Sequence, residues 1–158
     1  MSSRANEGVP DVEATAGSVG SPSGNQSTSK FGVGSGQVIQ EFGYDDDVDE
    51  DLRADLEQAS GHELVDEYYD DVTDAAILWW REDDGDVQDL TDLMINAQEM
   101  LEGAGLIWVF TPKSGRDGHV PPGEIDEAAS TAGLHATSAI SAAVNWSGIR
   151  LTARGRGK

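Results

Sequence analysis

The sequence has no cysteine, which excludes disulfides, thiolate zinc sites and cysteine nucleophiles. It has no run of about 18 apolar residues, the length a helix needs to cross a bilayer. The opening stretch, MSSRANEGVPDVEATAGSVG, lacks the apolar centre of a secretory signal, so a cytoplasmic location is expected. Basic residues are scarce: ten Lys and Arg stand against 30 Asp and Glu in 158 residues, a net charge of −20. Such a chain repels phosphate backbones, and neither nucleic acid nor membrane is an expected partner. Hydrophobic content is 37%, low for a wholly globular chain, so part of the sequence is expected to be unfolded.

The charge that is present is unevenly placed. Residues 41–102 hold 23 acids, with Arg53 and Arg81 as their two bases. Residues 103–158 hold four acids and six bases. Residues 1–30 are rich in Ser, Gly, Ala and Thr without helical or strand period, and read as a disordered tail. The last residues, 155–158, read as a basic flexible end, leaving 31–154 as the folded domain.

Within that domain, strand and helix patterns alternate. Gln37–Phe42 is a first short strand. From Val48 the apolar residues Leu52, Leu56 and Ala59 recur at helical spacing, with Asp47 or a neighbour as cap and Gly61 as stop. Glu63–Tyr68 is a possible short strand. Ala75–Trp80 (AAILWW) is an unbroken apolar run that suits a central strand covered on both faces. Asp86 is placed to cap a helix whose stripe is Val87, Leu90, Met94, Ala97 and Leu101, with Gly103 closing it. Leu106–Phe110 is a second buried strand. After the polar loop TPKSGRDGHVPPG, Pro122 opens a helix with Ile125, Ala128, Ala129 and Ala132 on its stripe, closed by Gly133. Two extended stretches, His135–Ala142 and Ile149–Ala153, flank a turn at VNWSG. The order implies an α/β, Rossmann-like three-layer sandwich, with a mostly parallel sheet ending in an antiparallel strand.

Five stretches in order, QEFGYDDDVDEDLR, ELVDE, DDVTDAAILWWREDDGD, WVFTPKSGRDGH and WSGIRL, resemble an actinobacterial family catalogued as domain of unknown function 3052. That resemblance implies no mechanism. The element order also resembles class I methyltransferases, which bind S-adenosylmethionine on a Rossmann-like sheet. LEGAGLIWVF resembles their glycine turn and following strand, and the strand pair around NWSG resembles their ending. The departure is at the first turn. Cofactor turns of this kind use several glycines for close backbone approach, whereas Phe42–Asp47 (FGYDDD) has one and fills the helix start with carboxylates. GVGSG (Gly32–Gly36) precedes the strand and reads as linker. No cofactor is therefore expected, and adenosylmethionine-dependent methyl transfer stands as an alternative.

Metal chemistry has weak support. Asp45, Asp47 and Asp49 match the first ligand positions of an EF-hand loop, but Glu50 stands where its glycine is needed and Leu56 where its bidentate glutamate is needed. His62, His119 and His135 have no ligand spacing. No nucleophile-elbow sequence occurs, so no catalytic residue is assigned.

Topology gives a better candidate, because open α/β sheets bind ligands beyond the carboxyl ends of their strands. Trp80 and Arg81 follow one central strand. Lys113, Arg116 and His119 lie in the loop after the other, and Trp146 and Ser147 lie in the last turn. Together they suit a small anionic ligand or the acidic segment of a protein partner. A plainer reading stands beside it, with Trp146 plugging the sheet and Lys113 and Arg116 pairing with exposed aspartates. A further alternative is an acidic regulatory surface for a basic protein.

Overall fold

The structure, a computed structural model, describes residues 31–153. The α/β unit is counted from Ser35. The expected tail, 1–30, and the basic end, 155–158, lie outside the described residues. The elements in order are β1 (Ile39–Phe42), α1 (Glu50–Ser60), β2 (Thr73–Trp79), a 3-10 turn (Glu82–Asp84), α2 (Val87–Gln98), β3 (Leu101–Pro112), α3 (Pro122–Thr131), β4 (Leu134–Ser141) and β5 (Trp146–Ala153). They build one five-stranded sheet among the described residues, in the order β1-β2-β3-β5-β4. β1, β2 and β3 pair in parallel, and β5 inserts antiparallel between β3 and β4. The Rossmann-like α/β architecture expected from the sequence is what forms.

Strand alternation divides the side chains between two layers. Ala76, Leu78, Trp80, Ile107, Val109, Ile149 and Leu151 meet Leu90, Met94 and Ala97 of α2 and Ile125, Ala128 and Ala129 of α3 in one dry core. Trp79, Trp108 and Phe110 point to the other face and are fully buried. Trp79 and Phe110 lie 5.0 Å apart, and Trp108 stacks on Phe110 at 6.2 Å. Gly148 of β5 makes room for this stack, since a Cβ there would sit 3.1 Å from the Phe110 ring and 3.2 Å from Trp108. On this same face Glu41 of β1 meets Arg53 of α1.

The helix ends follow the sequence with some shifts. α1 begins at Glu50, two residues later than expected, because Asp49 accepts from the Leu52 N–H and takes the cap. Asp47 is thereby left for another role. Gly61, in the left-handed region at φ 81°, closes α1. Asp86 and Asp89 form a reciprocal capping box at the start of α2. α2 then stops at Gln98, before Leu101 and Gly103. Leu101 is already in β3, paired with Thr73, while the Met100 carbonyl accepts the Thr73 N–H at 2.8 Å. The pairing jumps from Thr73↔Leu101 to Ala75↔Leu106, so residues 102–105 are a bulge inside the strand. LEGAG is thus strand and bulge; the sheet bonds at its first residue overrule the helical stripe. The expected strand at Glu63–Tyr68 reduces to a single parallel bridge between Gln40 and Val65 on the outer side of β1. β5 begins at Trp146, so Trp146 and Ser147 are strand residues; the turn before them is held by the Ala142 and Ala143 N–H groups, both donating to the Trp146 carbonyl.

Candidate functional site

β1 sends the chain outward through α1 to the bridge at Val65, and then inward to β2. Strand order therefore reverses at β1, and the carboxyl ends of β1 and β2 are where a doubly wound sheet opens its ligand crevice. Here Arg81 fills that place. Its Nε donates to Asp47 Oδ2 at 3.0 Å and its Nη2 to the other oxygen of the same carboxylate. Its Nη1 donates to the Gly43 carbonyl at 2.8 Å, and at 3.3 Å to the Trp79 carbonyl and to Asp84. The guanidinium carbon lies 5.4 Å from the centre of the Trp146 ring, close enough for attraction by its π face. Burial opposes the Arg81 charge, but bonding to Asp47 and the charges of Asp47 and Asp84 outweigh it and raise its pKa.

The backbone is tailored to this closure. Gly43 has φ 77°, and a Cβ there would fall 2.4 Å from the Trp79 carbonyl oxygen. β1 and β2 therefore end in contact, without the open, amide-lined turn that a dinucleotide or nucleoside cofactor occupies. The aspartates after β1 divide their work: Asp49 caps α1 and Asp47 holds Arg81.

The sequence-derived residues do converge on this edge. Glu82 N–H donates to the Gly118 carbonyl at 2.9 Å, which ties the loop after β3 to the segment after β2. Gly118 lies so close that a Cβ would be 3.3 Å from both Arg81 Cβ and Pro112 Cγ. Lys113 N–H donates to the Asn145 carbonyl at 3.0 Å, and Arg116 N–H to the Lys113 carbonyl. Their backbones are fixed, and among the described residues neither side chain forms an ion pair. Trp146 is buried and meets Trp79 edge-on at 4.9 Å, so it both floors the edge and belongs to the core. Trp80 is the exception. Its side chain enters the α2–α3 core and stands apart from this group.

His119 and Ser147 line a groove of about 310 Å³ between the start of α3 and the β4–β5 pair, with Thr111, Val120, Pro122 and Ile140. His119 Nδ1 lies 2.9 Å from the Pro112 carbonyl. A carbonyl only accepts, so Nδ1 is the donor in this contact. The groove offers a mostly apolar wall with a hydroxyl and an imidazole. No group of three or more acidic or histidine side chains among the described residues is arranged to hold a metal ion. No helix among them is long and apolar enough to cross a membrane.

Sequence reasoning did not find the roles of Asp47 and Glu41. Glu41 is buried and accepts from Trp79 Nε1 at 2.9 Å, Arg53 Nε at 2.7 Å and Arg53 Nη2 at 2.9 Å. Hydrogen bonding to Glu41, ahead of every other influence, raises the Arg53 pKa. The available signal was scarcity: two bases among 23 acids are each expected to be claimed by carboxylates of their own segment.

Known proteins resemble this chain at two levels. The pyocyanin biosynthetic protein PhzM superposes with a TM-score of 0.58 at 12% identity, over 78% of this chain and 51% of that one. Mitomycin 7-O-methyltransferase MmcR gives 0.56 at 11% identity, over 75% and 50%. The chain spans about half the length of these two structures, and the likeness is one of fold: a class I methyltransferase-like sheet. An uncharacterised protein of Mycobacterium tuberculosis is 51% identical over 122 residues, 77% of this chain and 75% of its own. A family model described as protein of unknown function (DUF3052) matches residues 28–155, and the chain belongs to that family.

Proposed function

We propose that this chain is a non-catalytic binding domain built on a methyltransferase-like sheet. One observation carries the reading: the crevice at the strand-order reversal is occupied by Arg81, bonded to Asp47 and the Gly43 carbonyl. An adenosylmethionine molecule placed there would have to displace a buried guanidinium and meet an acid-rich turn. The binding edge lies instead where β3 ends and β5 begins, with His119 and Ser147 lining a groove and Lys113 and Arg116 in the loop that leads to it. Its two cations form no ion pair among the described residues. An anionic small molecule or an acidic protein segment matches that chemistry.

Titration with adenosylmethionine tests the first half. A ligand at about 100-fold over its dissociation constant adds roughly 2.7 kcal/mol to stability, so true binding would raise the melting temperature clearly. No rise is expected, and a clear one would restore the methyltransferase alternative. Recovery of native partners by the Lys113→Ala/Arg116→Ala protein tests the second half. The fold should persist by circular dichroism while recovery is lost. Unchanged recovery would remove the edge from consideration.

A further inference from the structure

The two arginines of the acidic segment sit in nests of one composition. Arg53 is held by Glu41 and Glu50 and lies 4.8 Å from the centre of the Tyr44 ring. Arg81 is held by Asp47 and Asp84 over the ring of Trp146. Each combines two carboxylates with an aromatic face, the surroundings a guanidinium prefers.

A third nest of this kind has no base in it. A cavity of about 290 Å³ opens between β1, the loop after the Val65 bridge and the end of α2, lined by Gln40, Phe42, Glu67, Tyr68, Tyr69 and Glu99 among others. Glu67 and Glu99 form no ion pair among the described residues. The end of α2 contributes Asn96 and Glu99 to this wall and has no basic residue in its last turn. Tyr68 is 82% exposed at the rim.

The independent observation is Gln40. Strand alternation sends its side chain, with that of Phe42, to the face where α2 and the cavity lie. Its Nε2 donates to the Asp66 carbonyl at 3.1 Å and to the Tyr69 carbonyl at 3.0 Å. Those two bonds fix the amide, and they leave Oε1 buried without a hydrogen-bond donor. A buried acceptor without a donor is costly, and the Glu67 and Glu99 carboxylates of the same lining are further acceptors.

We propose that this cavity binds an organic cation bearing N–H donors, above all a guanidinium, which hydrogen-bonds Gln40 Oε1, pairs with Glu67 and Glu99, and lies against Tyr68 and Tyr69. An anion is excluded by the carboxylates, and a quaternary ammonium lacks the donor that Gln40 requires. The assignment is independent of the β3–β5 edge, since the two sets of residues have no member in common. Agmatine is the probe, titrated by calorimetry into the full chain. Saturable one-to-one binding is expected, weakened by at least about tenfold in Glu67→Gln/Glu99→Gln, as fits the loss of charge-assisted bonds. Asp51→Asn/Asp55→Asn removes the same charge from α1 and should weaken it by less than about twofold, the screened effect of distant surface charge. Tetramethylammonium should not compete. Binding of N-acetyl-Gly-Arg-Gly-amide as strong as that of agmatine identifies the source as an arginine of a protein, and binding of agmatine alone identifies a free small molecule. Absence of saturable binding, or equal weakening by both double substitutions, overturns the proposal.

Discussion

Replacing Arg81 by Met tests whether the closed crevice is a structural commitment of the fold. The Met side chain keeps much of the arginine stem's packing and removes all its donors. Two losses follow from the geometry. The Asp47 carboxylate loses a two-pronged partner, but its side chain is 52% exposed and can return to water, so this loss is discounted to about 1 kcal/mol. The Gly43 carbonyl loses its 2.8 Å donor in a place that admits little solvent, which costs about 1–3 kcal/mol. The expected destabilisation is about 2–4 kcal/mol, on the order of 10 °C in melting temperature for a domain of this size. Asp47→Ala should cost less, about 1–2 kcal/mol, because Arg81 keeps Gly43, Trp79 and Asp84. The double variant should fall short of the sum, since the shared bond can be lost only once. Thermal denaturation followed by near-ultraviolet circular dichroism, sensitive to Trp79 and Trp146, provides the readout. Unchanged midpoints in both single variants, or strict additivity in the double, would refute the view that Asp47 holds Arg81 in place.

Other expectations follow from the same interactions. Glu41→Leu strands the buried Trp79 N–H and releases Arg53, so a destabilisation of about 2–4 kcal/mol is expected in urea unfolding, with Arg53 softening the loss through its residual exposure. Moderate salt should raise the melting temperature, because residues 41–102 carry 23 acids against two bases and screening to about 8–10 Å weakens their repulsion; a midpoint that falls with added salt would mean that attraction within ion pairs outweighs that repulsion. Bonding to the Asp89 N–H chiefly holds the Asp86 pKa below its ordinary value. A depressed carboxyl contributes stability that is present above its unfolded pKa of about 4 and is lost as pH falls through the lower folded value. Asp86→Asn keeps an oxygen for the cap and should flatten that part of the acid limb, as read from midpoints between neutral pH and strong acid.

The sequence made the layered architecture legible because its strongest signals are those that tertiary contacts leave intact. AAILWW could be covered only on both faces, and Asp86, Pro122 and Gly61 mark helix ends by local stereochemistry. Errors arose where a long-range bond competes with a local pattern. Leu101 continues the stripe of α2, yet the sheet takes it through pairing with Thr73, a distant partner that no helical period reveals. Trp146 was legible as a large ring at the sheet end, and its placement in a strand follows from pairing with Pro112. The edge group was legible because residues after parallel strands share one side of the sheet. Trp80 was misassigned because its run carries no alternation to say which face each tryptophan takes. Asp47 and Arg81 lie 34 residues apart, and their bond depends on the closeness of β1 and β2 at Gly43.

Helix starts at the carboxyl edge of a parallel sheet are the natural anion sites of this architecture, and their chemistry decides where an anion can still bind. α1 carries Asp49 as cap and Glu50 and Asp51 in its first turn. α2 carries Asp86 as cap and Asp89 in its first turn. Both positive ends are therefore occupied by the chain's own carboxylates, and an incoming phosphate or carboxylate would meet like charge at close range. α3 has Pro121 at its cap position with no side-chain bond, but it too carries an acid, Glu124, in its first turn. It is also the helix that borders the groove of His119 and Ser147 and follows the loop of Lys113 and Arg116. From residue 128 to 153 the chain contains no acid at all. Residues 41–102 hold 23 acids against two bases and residues 103–158 hold four against six, so the repulsion an anion meets is concentrated in the segment from β1 to α2.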